Sequence, residues 1–189
     1  MQYALDLAKK ADGLTGNNPM VGCVIVHNGK IIGEGFHEVF GGPHAEPNAI
    51  KSVLDKSLIR DADVYVTLEP CAHHGKTPPC ADLIASFAPK RLIVCNNDPN
   101  PLVSGKGYKK IHTAGTEIIT GVLGAKGRAL NKRFFTFHEE KRPYVILKWA
   151  ETQDGFIARE NYDSKWISNK ASREVVHQMR ARESAIMVG

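Results

Sequence analysis

The sequence predicts an α/β fold, a three-layer α/β/α sandwich around one mixed sheet. Two observations carry this reading. Short β-branched runs alternate with stretches of helical spacing along the first 138 residues. Hydrophobic residues make up 42% of the 189, which is enough for a packed core.

The elements follow in order. Tyr3, Leu5, Leu7, Ala8 and Ala11 give one apolar helical face, which Gly13 and Gly16 end. Asn17-Asn18-Pro19 leads into a strand at Val21–Val26. A turn at Asn28-Gly29 and a second strand at Ile31–Phe36 complete a hairpin. Gly41-Gly42-Pro43 breaks the chain, and a helix is expected from His44 to about Ser57. Pro47 is tolerated in its first turn, where N–H groups lack partners. Ala62–Leu68 reads as a strand. Pro78-Pro79 opens a helix containing Leu83, Ile84 and Phe87. Arg91–Cys95 is again a strand. A helix over 105–114, a strand at Thr116–Thr120 and a helix over 123–138 complete the pattern.

The composition shifts at Glu139-Glu140-Lys141-Arg142-Pro143, a charged stretch that ends in proline. It divides a domain at 1–138 from a segment at 144–189, with 139–143 as linker. Tyr144–Trp149 is expected as a strand, about 170–182 as a helix and Ala185–Val188 as a strand. Three such elements cannot close an α/β domain, so the second unit reads as incomplete.

The formal charge of +5 is modest and scattered. It suits an anionic small molecule, and no nucleic-acid partner is expected. No apolar run reaches membrane-spanning length, and the first residues lack the regions of a secretory signal. A cytoplasmic location is the expectation. Of the four cysteines, Cys23 and Cys95 lie in apolar runs and read as buried thiols. Cys71 and Cys80 lie in polar, proline-rich sequence, where metal binding is favoured over a disulfide in the cytoplasm.

The chemistry concentrates between residues 44 and 80. His44-Ala45-Glu46 precedes Glu69-Pro70-Cys71 and then Cys80. One histidine and two cysteines can hold a Zn²⁺ ion and leave a fourth position for water, the pattern of catalytic rather than structural zinc. His44 and Cys80 fall at expected helix starts, where free N–H groups favour thiolate. Glu46 is poorly placed to ligate beside His44 and fits a proton shuttle to that water. The rival is a non-enzymatic, zinc-stabilised binding module in which His73 or His74 supplies a fourth ligand.

His44-Ala45-Glu46 with Pro70-Cys71 resembles the cytidine deaminase superfamily, whose usual two cysteines are two residues apart. Here eight residues separate Cys71 from Cys80. The run from Thr67 to Cys80 resembles the deaminase half of the RibD family of bifunctional riboflavin-biosynthesis enzymes. Asn18-Pro19-Met20-Val21-Gly22, Asn97-Asp98-Pro99-Asn100-Pro101 and Leu130-Asn131-Lys132-Arg133-Phe134-Phe135 extend the likeness.

The resemblance implies a cytidine-deaminase-like fold with His44, Cys71 and Cys80 as zinc ligands and Glu46 as acid and base. It implies hydrolytic deamination of 2,5-diamino-6-(5-phosphoribosylamino)pyrimidin-4(3H)-one. It also implies substrate contacts from Asn18, His37, His73, Lys76, Asp98 and Asn100. His73 and Lys76 would meet the phosphate and ribose, Asn18 the pyrimidine edge, and Asp98 and Asn100 the ribose hydroxyls. The plain alternative for Asn18, Asp98 and Asn100 is turn chemistry beside proline. For Lys76 and His37 it is a solvated surface position. The alternative enzyme is a nucleoside or tRNA deaminase, against which the insert with Lys76 speaks. A homo-oligomer is plausible by resemblance.

Arg142–Lys148, Thr152–Ala158 and Ser164–Ser168 resemble the start of the family's reductase domain, which is dihydrofolate-reductase-like and uses NADPH. In a complete reductase, Ala150 and Trp166 would match cofactor positions, and Ser164 and Arg180 substrate positions. No G-x-G-x-x-G occurs in this segment. The expectation is a reductase segment that stops early, a chain that begins late against the family pattern, and no NADPH-dependent activity.

Overall fold

The computed structural model describes residues 1–73, 78–101 and 103–188. The chain divides into two compact units, Met1–Pro143 and Tyr144–Gly189.

The first unit is built on a five-stranded sheet. Its strands are β1 (Gly22–His27), β2 (Lys30–Phe36), β3 (Asp63–Leu68), β4 (Arg91–Asn96) and β5 (Glu117–Thr120). Their order is β2-β1-β3-β4-β5. β1 runs antiparallel to both β2 and β3, whereas β3, β4 and β5 are parallel. The sheet is therefore mixed, as the sequence predicts. The hairpin turns at Asn28 and Gly29, both with positive φ (49° and 74°). Such turns match the twist of the flanking strands, and Asn-Gly reaches them at little cost.

Side chains alternate between the two faces of the sheet. Cys23, Ile25, Val64, Val66, Leu92 and Val94 point into the larger core. There they meet Ala45, Ala49 and Ile50 of α2 (Ala45–Ser52), Ala81 and Ile84 of α3 (Cys80–Phe87), and Ile111 of α4 (Lys106–Thr113). Val24 points the other way, onto Ala4 and Leu7 of α1 (Gln2–Lys9), with Val26 and Tyr65 packed beside them. α5 (Gly124–Leu130) also packs on this side, against α1 and β4. The result is the three-layer sandwich.

α2 is pressed against β2. A Cβ on Gly35 would lie 2.4 Å from the backbone nitrogen of Ala49 and 2.8 Å from the carbonyl carbon of Asn48. Only glycine permits that approach, and it sets the position of the helix that carries the first site residues.

The structure corrects several element boundaries. The helix expected to reach Ser57 stops at Ser52. Val53 is extended, and the Asp55 carboxylate caps a separate 3₁₀ turn, Lys56–Asp61, by accepting from Ser57 N–H. The helix expected over 123–138 is two helices, α5 and α6 (Lys132–Glu140). Asn131 separates them because its buried amide is fully used elsewhere. It accepts from Met20 N–H at 2.8 Å and donates to Met20 C=O at 2.9 Å. A side chain so engaged with distant backbone competes with helix continuity.

In the second unit, α7 (Lys170–Ala181) forms as expected and is capped by Asn169, which accepts from Ser172 N–H. The strands expected at Tyr144–Trp149 and Ala185–Val188 do not form. Both are β-rich in sequence, but a strand needs a hydrogen-bonded neighbour, and neither belongs to a sheet among the described residues. Val145, Leu147, Ile186 and Val188 are exposed accordingly.

Candidate metal centre and active site

Three chain segments meet where α2 and α3 begin. His44 is the N-cap of α2, with extended backbone, and Cys80 is the first residue of α3. Cys71 sits in the loop that follows β3. That loop is tied to α3 by Cys80 N–H donating to Cys71 Sγ (3.3 Å) and Ala81 N–H donating to Cys71 C=O (3.0 Å). Both sulfurs face one ring nitrogen. His44 Nδ1 lies 3.6 Å from Cys71 Sγ and 3.3 Å from Cys80 Sγ. The ligand atoms of His44, Cys71 and Cys80 all fall within 4.8 Å of one another.

The donor set fits zinc. Two thiol sulfurs and one imidazole nitrogen converge without a disulfide, and all four cysteines are free. The Cys71 thiol is pushed down to about 4, chiefly by its hydrogen bond with Cys80 and then by that with His44, so thiolate is present at neutral pH. The Cys80 thiol is raised, first by Cys71 beside it and then by burial. Binding of a divalent cation would require both sulfurs as thiolates and would favour loss of the Cys80 proton.

Glu46 lies in the first turn of α2 and is 3% exposed. Burial raises its carboxyl from 4.5 to about 6, with the nearby Cys71 thiolate adding to the shift. A carboxyl poised close to neutrality, hydrogen-bonded to Cys80, can both take and give a proton. It stands outside the set of three converging ligand atoms.

The remaining sequence candidates divide. His37 is buried, and its ring centroid stands 5.5 Å from that of His44. It is a buried neighbour of the centre and not a surface histidine. Its Nδ1 lies 2.9 Å from Pro43 C=O and its Nε2 3.4 Å from Asn18 Nδ2, so Asn18 and His37 form one unit beside the centre. Asn18 also closes a turn, accepting through its C=O from the Thr15 hydroxyl. Asp98 is buried. Burial raises its carboxyl, and the charges of His73 and Cys71 are felt there. Its Oδ1 accepts from Asn100 N–H at 2.8 Å, so the turn role read for this pair is real. His73 is exposed, and Lys76 lies outside the described residues. An open cleft beside Asp98 is lined with Asn96, Asn97, Ser104, Thr120 and Arg128. Ala150, Ser164, Trp166 and Arg180 all belong to the second unit. Trp166 is exposed there, with the Arg173 guanidinium 4.2 Å above its ring.

One residue escaped the sequence reading as more than part of a motif. Glu69 is buried, and its two carboxylate oxygens accept from Gly105 N–H (2.8 Å) and Asp98 N–H (3.3 Å). The signal was present: an acidic residue directly after the apolar strand Val64–Leu68 is buried by continuity and must find donors. α4 closes on the same loop, since a Cβ on Gly107 would stand 2.4 Å from Pro70 C=O.

The match to known families decides between readings of this centre. Residues 1–96 match the family model described as the cytidine and deoxycytidylate deaminase zinc-binding region. The chain belongs to the cytidine and deoxycytidylate deaminase family. Residues 143–189 match the RibD C-terminal domain. Among curated proteins, the riboflavin biosynthesis protein RibD of Aquifex aeolicus is 49% identical over all of this chain and 52% of its own length. The chain spans about half the length of the curated relatives it matches.

Solved structures agree. A diaminohydroxyphosphoribosylaminopyrimidine deaminase/5-amino-6-(5-phosphoribosylamino)uracil reductase from Thermotoga maritima is 50% identical, with a TM-score of 0.86 over 95% of this chain and 51% of that one. Acinetobacter baumannii RibD is 41% identical, with a TM-score of 0.92 over 97% of this chain and 51% of that one. The resemblance to RibD therefore holds along the whole chain, and the three-layer deaminase fold is shared.

Proposed function

We propose that this chain catalyses the hydrolytic deamination of 2,5-diamino-6-(5-phosphoribosylamino)pyrimidin-4(3H)-one to 5-amino-6-(5-phosphoribosylamino)uracil, a step of riboflavin biosynthesis. The observation that carries it is the convergence of His44, Cys71 and Cys80 beside buried Glu46. That arrangement lies in a chain half identical to an enzyme of this description.

His44, Cys71 and Cys80 would hold the zinc ion, which would supply a Lewis acid able to make water nucleophilic at neutral pH. Glu46 would accept a proton from the attacking water and deliver it to the ring nitrogen next to C2. A carbon–oxygen bond forms at C2 and the C2–N bond to the amino group breaks. Glu46 gives the second proton to the departing ammonia. Atoms balance as one water consumed and one ammonia released.

The substrate contacts extend this reading. Asn18 and His37 stand together beside His44 and suit the pyrimidine edge. Asp98 and Asn100 suit the ribose hydroxyls, and the polar cleft beside Asp98 gives that arm room. His73 and Lys76 would meet the phosphate, by the same likeness. The test is ammonia release from the ribotide by zinc-loaded protein, with cytidine, adenosine and tRNA as comparison substrates. Turnover of one of those in place of the ribotide would move the chain to another branch of the family.

A further inference from the structure

We propose that Glu69 is a positioning residue for the ribose side of the site, its carboxylate clamping both ends of the loop that carries Asp98 and Asn100. The inference rests on the ribotide reading above and adds to it a residue that touches no substrate.

Glu69 follows β3 directly, and its own N–H donates to Asn96 C=O at 2.9 Å, the last residue of β4. From that fixed point the carboxylate spans the loop between β4 and α4. One oxygen accepts from Asp98 N–H where the loop begins, and the other from Gly105 N–H where it ends. Between these anchors the loop holds itself together. Asn100 N–H donates to the Asp98 carboxylate, and Val103 and Ser104 N–H both donate to Asn100 C=O at 2.9 Å. Asp98 is thus held from two sides, its backbone by Glu69 and its side chain by its own turn.

A carboxylate suits this place in a way its isosteres do not. Glutamine offers one acceptor oxygen and would turn an NH₂ group toward the other backbone N–H. An apolar residue would avoid the cost of burying a carboxylate but would leave the Asp98 and Gly105 N–H groups without their acceptor. What the charge secures is the geometry of a loop that would otherwise be among the softer parts of the fold. Glu69 also stands two residues before Cys71, so the same chain turn that offers a metal ligand sets the loop opposite.

Glu69→Gln tests this with three readouts. Zinc should stay at one ion per chain. Amide hydrogen exchange at Asp98, Asn100 and residues 103–105 should accelerate relative to β3 and β4. KM for the ribotide should rise on the order of tenfold while kcat changes little, as expected for one lost and one opposed hydrogen bond. Asp98→Ala should add little to KM in the Glu69→Gln background, because both act through one contact. If Glu69→Gln does not fold, Glu69→Asp keeps the charge but shortens its reach, and the same rise in KM is expected.

Unchanged exchange in the loop would overturn the clamp. Faster exchange with a fall in kcat alone, or additive effects of the two substitutions on KM, would overturn the positioning role. Failure of the substrate reading would show separately, as wild-type protein that releases no ammonia from the ribotide. The exchange readout would still decide the clamp.

Discussion

Replacing Glu46 with glutamine should make the metal-free protein more stable and the zinc-loaded protein nearly inert. The stability arm can be worked from the structure. Burial raises the Glu46 carboxyl from its ordinary 4.5 to about 6. Between those values the folded state holds a proton that the unfolded state has lost, so wild-type stability falls as pH rises. The loss begins near pH 4.5 and is complete somewhat above pH 6. A difference of about 1.5 in pKa is worth ~2 kcal/mol. Glutamine is neutral throughout and escapes this cost. The stability difference between Glu46→Gln and wild type should therefore grow by ~2 kcal/mol from pH 4 to pH 7.5, then level off. Urea unfolding of the chelator-treated proteins, followed by far-ultraviolet circular dichroism at several pH values, measures it. A difference that stays flat across that range would refute the claim that Glu46 is a strained, buried acid.

Other outcomes follow from the same geometry. Zinc-loaded Glu46→Gln should keep its metal but lose about 10²- to 10⁴-fold in ammonia release, the usual worth of a general acid–base; metal analysis beside a turnover assay checks both. Cys71→Ser should lower bound zinc well below one ion per chain, read by metal analysis after dialysis, because it removes the strongest thiolate of the centre. Gly35→Ala should destabilise the fold by roughly 1–3 kcal/mol, since its methyl would drive into the α2 backbone and must displace the helix. Thermal unfolding reads that, and zinc affinity should fall with it because α2 begins at His44.

The sheet was legible because its strands are short, β-branched and separated by clear turn residues. Asn28-Gly29 marked the hairpin, and the β-branched runs around Val64, Val66, Leu92 and Val94 marked strands with a buried face. Boundaries set by distant contacts were not legible. Asn131 looks like an ordinary helical residue until its amide is found on the Met20 backbone, more than a hundred positions away. Tyr144–Trp149 and Ala185–Val188 have strand composition, yet pairing is a property of neighbours, and the local sequence does not report it. The convergence of His44, Cys71 and Cys80 was legible because metal-binding chemistry constrains residue type and order. Glu69 was less so, because its partners are backbone amides that no side-chain pattern announces. His37 was open between surface and site until its burial beside His44 was seen.

In the proposed reaction, His44, Cys71 and Cys80 hold a zinc ion at which this chain deaminates the diaminopyrimidine ribotide. The most direct measurement is ammonia release from that ribotide by the purified chain as isolated, after chelation and after zinc is returned. Release by the zinc-loaded protein, loss on chelation in step with the metal, and recovery at one zinc per chain are the expected results. Full zinc occupancy with no ammonia released from the ribotide would contradict the proposed reaction.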